Sequence, residues 1–187
     1  AKELLLDTER SAVATFGDNH PETQSVRTLL AELLRELEEY PDSTAWFRKA
    51  AESYGKSLGV THPHSLEVLE SVADVESIGG NYGAAAVTLR TACTGYSSIY
   101  GELHPKTGSC YQQLGLMEYR QGKYVEASAA YNRAADILYK VGGHEYPAWI
   151  RTQVYSADLA RASADFTKAE EILQHLLEKK KKTKKSN

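Results

Sequence analysis

The chain has 187 residues, 42% of them apolar and 25% charged, which is enough for a sizeable core and for one or two ordinary domains. Five prolines and 13 glycines are too few for a collagen-like or disordered chain, and the apolar runs are far too short for a membrane-spanning helix. The net charge of −3 conceals an asymmetry: six lysines crowd into residues 179–185, so the body is acidic and lacks the positive surface that phosphate contacts need.

Along the chain the first landmark is Gly17-x-x-His20-Pro21, and it returns. Gly59-x-x-His62-Pro63 and Gly101-x-x-His104-Pro105 follow at a spacing of 42, and Gly143-x-x-Tyr146-Pro147 repeats it with tyrosine for histidine. Other positions keep the same register. Tyr40, Tyr82, Tyr124 and Phe166 align, as do Ser43, Ala85, Ala127 and Ala169, then Ala50, Ala92, Ala134 and Leu176, and earlier in each unit Ala31, Ala73, Gly115 and Ala157. A gap-free period of this length marks a repeat architecture.

The chemistry of each position predicts a helical hairpin. Proline suits a first helical turn, where its missing N–H costs no bond, and a glycine shortly before it can end the preceding helix. A first helix of about 15 residues, as over 65–78, is followed by a short turn such as Gln121-Gly122-Lys123. The second helix begins near the aromatic, as over 124–140, and its small residues let two helices approach closely. The aromatic is expected to fill space between hairpins. Counting back from Ser43 puts Ala1 at a small-residue position, so residues 1–19 read as the second helix of a partial repeat, with Leu5, Ala12 and Phe16 on its buried side. Full repeats are expected at 20–61, 62–103, 104–145 and 146–178, with 179–187 as a lysine-rich tail. Such arrays are stabilised by neighbour contacts and need a polar end.

These residues resemble tetratricopeptide repeats, most clearly in Leu114-Gly115, Gln121-Gly122, Tyr124, Ala127, Tyr131 and Ala134. The 42-residue length and the Gly-x-x-His-Pro junction look like the kinesin light chain variety. Glu118 departs from the pattern, which usually has an aromatic there. The resemblance implies an all-α, right-handed superhelical solenoid over residues 1–178. It also implies that first helices line a concave face where peptides bind.

Mapped by register, that face holds Thr28, Glu32 and Arg35 in the first full unit and Glu67, Glu70 and Asp74 in the second. The third contributes Gln112, Leu116 and Tyr119, and the fourth Arg151, Tyr155, Asp158 and Arg161. The first two units are acidic, with Glu36 added, whereas Arg120, Arg151 and Arg161 outnumber Asp158 in the last two. Charge of this kind would set orientation and on-rate. The usual groove asparagine of kinesin light chains is replaced by Thr28, Glu70, Gln112 and Val154, a departure that bears on cargo preference.

No catalytic constellation is present: no phosphate loop, no Gly-x-Ser-x-Gly, no His-Glu-x-x-His. The chain is therefore expected not to be an enzyme and to need no cofactor. His62 and His64 stand two apart, but the repeat explains His62 and no further ligand joins them, so no metal site is expected. Cys93 and Cys110 lack zinc-type spacing and read as reduced thiols of a cytosolic or nuclear protein. The sequence predicts a protein-interaction adaptor or scaffold of the cytoplasm, in a cytoskeletal, ciliary or transport setting that the resemblance supplies. The alternatives are a structural subunit of a large assembly and a regulatory module of a longer protein. Its partners are proteins or peptides, and the lysine tail is a candidate contact for an acidic partner.

Overall fold

The computed structural model describes the backbone of residues 1–186 and the side chains of residues 1–179. The described chain is all helical and holds α1 (Lys2–Phe16), α2 (Pro21–Glu36), α3 (Tyr40–Leu58), α4 (Pro63–Ile78), α5 (Tyr82–Tyr100), α6 (Pro105–Arg120), α7 (Tyr124–Gly142), α8 (Pro147–Ala162) and α9 (Phe166–Ser186). Two compact units divide it, Ala1–Ile99 and Tyr100–Asn187. In the first, α1 packs on α2, α2 on α3 and α3 on α4; in the second, α6, α7, α8 and α9 pack in sequence.

Each hairpin turns in the same way. Glu38, Gly80, Gly122 and Ala164, at the repeat spacing, all adopt positive φ. The next residue's N–H reaches back to a carbonyl five residues earlier: Glu39 to Leu34, Asn81 to Glu76, Lys123 to Glu118 and Asp165 to Ala160, at 2.7–3.0 Å. This left-handed stop satisfies carbonyls that the helix end would otherwise orphan. Glycine makes it without strain at two of the four turns, and Glu38 and Ala164 adopt it without that freedom.

The small residues identified by register are buried. Ala31, Ala73, Ser43, Ala85, Ala127, Ala50, Ala92 and Ala134 are all at most 3% exposed. In the first unit Phe47, Val68, Val72 and Val75 pack around Ala31 and Ala50. In the second, Ala134 and Leu138 pack on Trp149 and Ala127 packs on Tyr131 and Leu159. A Cβ added at Gly115 would stand 2.6 Å from the Tyr131 ring, so α6 and α7 touch where only glycine fits.

Three expectations are corrected. The register aromatics do not all fill space between hairpins: Tyr124 is 39% and Phe166 66% exposed. As the first residues of their helices, they direct their rings back over the turn. Phe16 is also exposed, because its ring stacks on His20 at 4.9 Å rather than entering the core. The buried face of α1 instead carries Ala12 and an acid, Glu9. Neither Cys93 nor Cys110 is a free thiol; each is disulfide-bonded. Residue count and spacing suggested reduction, but bonding is decided by local geometry that counts do not carry. The last helix, α9, continues through the lysine run to Ser186. The side chains of residues 180–186 and all of Asn187 lie outside the described residues, and so does the expected tail contact.

Candidate protein-interaction faces

The Gly-x-x-His-Pro junction aims each first helix. His20, His62 and His104 are N-caps in extended conformation, with proline next. Their Nδ1 atoms accept hydrogen bonds from the backbone N–H two residues on, at 3.2, 3.3 and 3.1 Å. A helix start exposes unpaired N–H groups, and this bond satisfies one of them. A second latch escaped the motif. The hydroxyls of Thr23, Ser65 and Thr107 donate to the carbonyls of Gly17, Gly59 and Gly101 at 2.8–3.0 Å. The signal was present as a Ser/Thr six residues after each glycine. The fourth junction lacks both devices, with Tyr146 and Trp149 at these places and no side-chain cap. There a 3-10 turn over Gly143–Glu145 intervenes, and the Tyr146 ring lies against Gly142, where a Cβ would meet it at 2.6 Å.

So aimed, the first helices lie side by side within each unit. In the first unit Arg35 of α2 bridges to Asp74 of α4 at 3.4 Å and also meets Glu36 at 3.5 Å. Glu32 and Glu67 are exposed and Thr28 is half-buried. Glu70 accepts a hydrogen bond from the Tyr96 hydroxyl at 2.7 Å, and Glu67 pairs with His64. Five carboxylates thus share a face whose basic member is Arg35.

In the second unit Gln112 proves to be buried. Its amide donates to the Ala148 carbonyl at 2.9 Å and to the Thr152 hydroxyl, and its oxygen accepts from Arg151 Nε at 2.9 Å. Gln112 is therefore a strut between α6 and α8 that positions Arg151. Tyr119 and Tyr155 are half-buried against the cluster of Ala127, Tyr131 and Leu159, and Leu116 is half-buried too. Asp158 and Arg161 are exposed and pair at 3.4 Å. Burial, with the neighbouring Tyr155 and Tyr119, pushes the Tyr131 hydroxyl well above its ordinary value, so it stays neutral.

The first unit also holds an ionic knot that register arguments missed. Arg27 is fully buried. Its guanidinium meets Glu9 at 2.8 Å, the Asp18 carboxylate and carbonyl, the Gln24 side chain and the Ser53 hydroxyl, while Lys49 reaches Glu9 at 3.1 Å. The repeat places Leu69, Tyr111 and Gln153 at the equivalent positions, so period alone points to an ordinary core residue. Burial tends to raise the Glu9 pKa, but Arg27 and Lys49 outweigh it and hold it below the usual range. Hydrogen bonding to Arg27 lowers that of Asp18. Glu118 is buried as well, as is Glu76 one repeat earlier, so the acid in place of an aromatic is part of the interior.

Among the described residues no group of histidine, cysteine and carboxylate side chains is placed to hold a metal ion. His62 spends its Nδ1 on the cap. No described helix is long and apolar enough to cross a membrane.

Two family models, both described as tetratricopeptide repeat, match residues 23–64 and 113–182 and together cover more than half of the chain. The chain belongs to the tetratricopeptide-repeat family. Its fold is that of TPR-like all-α repeat solenoids. A structure from Podosopora anserina, described as kinesin light chain nearly identical TPR-like repeats, matches with a TM-score of 0.84 at 19% identity, over 98% of this chain and 87% of that one. BtubC (BKLC) from P. vanneervenii matches at 0.79 and 16% identity, over 98% and 73%. A MamA fragment from Desulfovibrio magneticus RS-1 matches at 0.62 and 14% identity, over 97% and 96%. No curated protein matches the chain. Tetratricopeptide repeats generally mediate protein–protein interaction and are typically non-enzymatic, so protein partners follow from the family.

Proposed function

We propose that the chain is an adaptor or scaffold segment whose first-helix faces each hold a segment of a partner protein. The tetratricopeptide repeats carry this reading, and the surface chemistry of each unit refines it. The face of α2 and α4 suits a basic segment, since Glu32, Glu36, Glu67, Glu70 and Asp74 surround Arg35. The face of α6 and α8 combines Leu116, Tyr119 and Tyr155 with Arg151 and Arg161, and suits a segment with an apolar anchor and an acidic flank. Likeness to kinesin light chain repeats supports a cytoskeletal or transport assembly as the setting. The lysine run is proposed to contact an acidic partner, on its sequence alone.

The test is a titration of a labelled lysine-rich peptide against the full chain and against Glu32→Lys/Glu67→Lys, at low and moderate salt. Both positions are exposed, so the variant keeps its fold. Binding should weaken about tenfold or more in the variant, and the difference should shrink as salt screens the charges. Equal affinity for both proteins removes the acidic face from the reading.

A further inference from the structure

In the first unit Glu76 of α4 is buried, and its carboxylate is held from both sides. Arg48 of α3 reaches Oε1 at 2.5 Å and the Thr88 hydroxyl of α5 donates to Oε2 at 3.0 Å. Two repeats later the same three places carry Asn132 on α7, Ala160 on α8 and Ile172 on α9. All three of these residues line one cavity of about 290 Å³ in the second unit. Where the first unit buries a carboxylate the second has a methyl group, and each unit has a cavity there, lined in the first by Arg48, Leu69, Val72 and Thr88. The volume in the second unit exceeds by several-fold the roughly 30 Å³ that a water occupies in the liquid, so a side chain fits.

The hole is not apolar. Ser128, Asn132 and Gln153 line it, and none of their side chains makes a hydrogen bond among the described residues. Lys168 lines it too, with no ion-pair partner among those residues. One acid, Asp165, also lines the cavity, and it directs Oδ1 at the backbone N–H of Lys168 at 3.1 Å, capping α9. The site thus offers one cation, several donors and one acid whose Oδ1 is engaged by the helix cap, and its repeat equivalent shows a carboxylate held at such a place.

We propose that this cavity binds a carboxylate carried by a partner, the glutamate or aspartate side chain of an acidic protein segment. Lys168 supplies the charge, and the amides of Asn132 and Gln153 supply donors in place of Arg48 and Thr88. The site lies between α7, α8 and α9 and uses residues of α8 other than Arg151, Tyr155, Asp158 and Arg161. Its failure would leave the first-helix faces untouched.

The experiment is a ¹⁵N chemical-shift titration of the full chain with N-acetyl-glutamate α-amide and with its neutral isostere, N-acetyl-glutamine α-amide. The glutamate probe should give saturable shifts at residues 128–132, 160 and 168. The isostere should bind about tenfold more weakly or worse, the loss expected for a hydrogen bond to a charged group. Asn132→Asp sets a repelling charge on an exposed position, and Ala160→Glu supplies the missing carboxylate internally; both should abolish the saturable shifts. If Ala160→Glu does not fold, Asn132→Asp decides alone, with circular dichroism confirming its helix content. Equal response to the two probes, or binding retained in Asn132→Asp, overturns the proposal. A glutamate-rich peptide should bind more tightly than glutarate, and equal affinity would assign the cavity to a small acid and overturn the partner segment.

Discussion

Replacing Arg27 with methionine removes the centre of the knot while keeping volume and a flexible apolar stem. The magnitude follows from what each partner loses. Glu9 is 7% exposed and keeps only Lys49, which approaches at 3.1 Å from a half-exposed position. Asp18 has 57% of its side chain exposed and regains water at little cost. The Ser53 hydroxyl and the Gln24 oxygen lose a donor. Removing one partner of a buried ion pair costs about 3–5 kcal/mol, and the surviving Lys49 contact places this case near the lower end. Urea denaturation monitored by circular dichroism, with amide exchange of α1 and α2, measures it. Glu9→Met/Arg27→Met should recover most of the loss, because no uncompensated charge remains. The pH dependence has a fixed sign. Glu9 and Asp18 have depressed folded pKa values, so their stabilisation is present above the ordinary carboxylate range and is lost as pH falls through the depressed values. The gap between wild type and Arg27→Met should therefore narrow in acid. A variant as stable as wild type at pH 7, or a gap that widens in acid, refutes the argument.

His62→Ala should destabilise by about 0.5–2 kcal/mol through loss of the cap, with His62→Asn close to wild type, read as urea midpoints; equal loss in both would deny the Nδ1 bond. Gly115→Ala presses a methyl to 2.6 Å from the Tyr131 ring, and should cost the about 1–3 kcal/mol of stability typical of overpacking, read as a lowered thermal midpoint. Ala127→Leu and Ala134→Leu together should do at least as much, since both sites are fully buried; an unchanged midpoint would contradict the close approach.

Much of the fold was legible because period and residue size are properties of sequence. The glycine, histidine and proline at each junction specify local backbone bonds, and the alanines at fixed register specify close approach, so hairpins and their contacts could be read without coordinates. Side-chain chemistry off the period was not legible. Arg27 shares its register with Leu69, Tyr111 and Gln153, and only the fold brings Glu9, eighteen residues away, onto its guanidinium. Gln112 looked like a groove residue because its position faces the next first helix; that same nearness lets its amide be used up as a strut. By register Phe16 falls on the buried side of α1, yet an imidazole four residues on offers its ring a place outside. The cysteines show the same divide, since pairing depends on geometry rather than on count.

The joints at Gly17, Gly59 and Gly101 close their bonds within seven residues, histidine to amide and hydroxyl to carbonyl. These bonds ask nothing of the sequence beyond the joint, although at the first joint Asp18 is also held by Arg27. A 42-residue cassette spliced in or out at these points re-forms the same cap and latch, a physical basis for lengthening such arrays by gene duplication. The joint at Gly143 lacks that self-sufficiency, and limited proteolysis of an otherwise native chain should open there first.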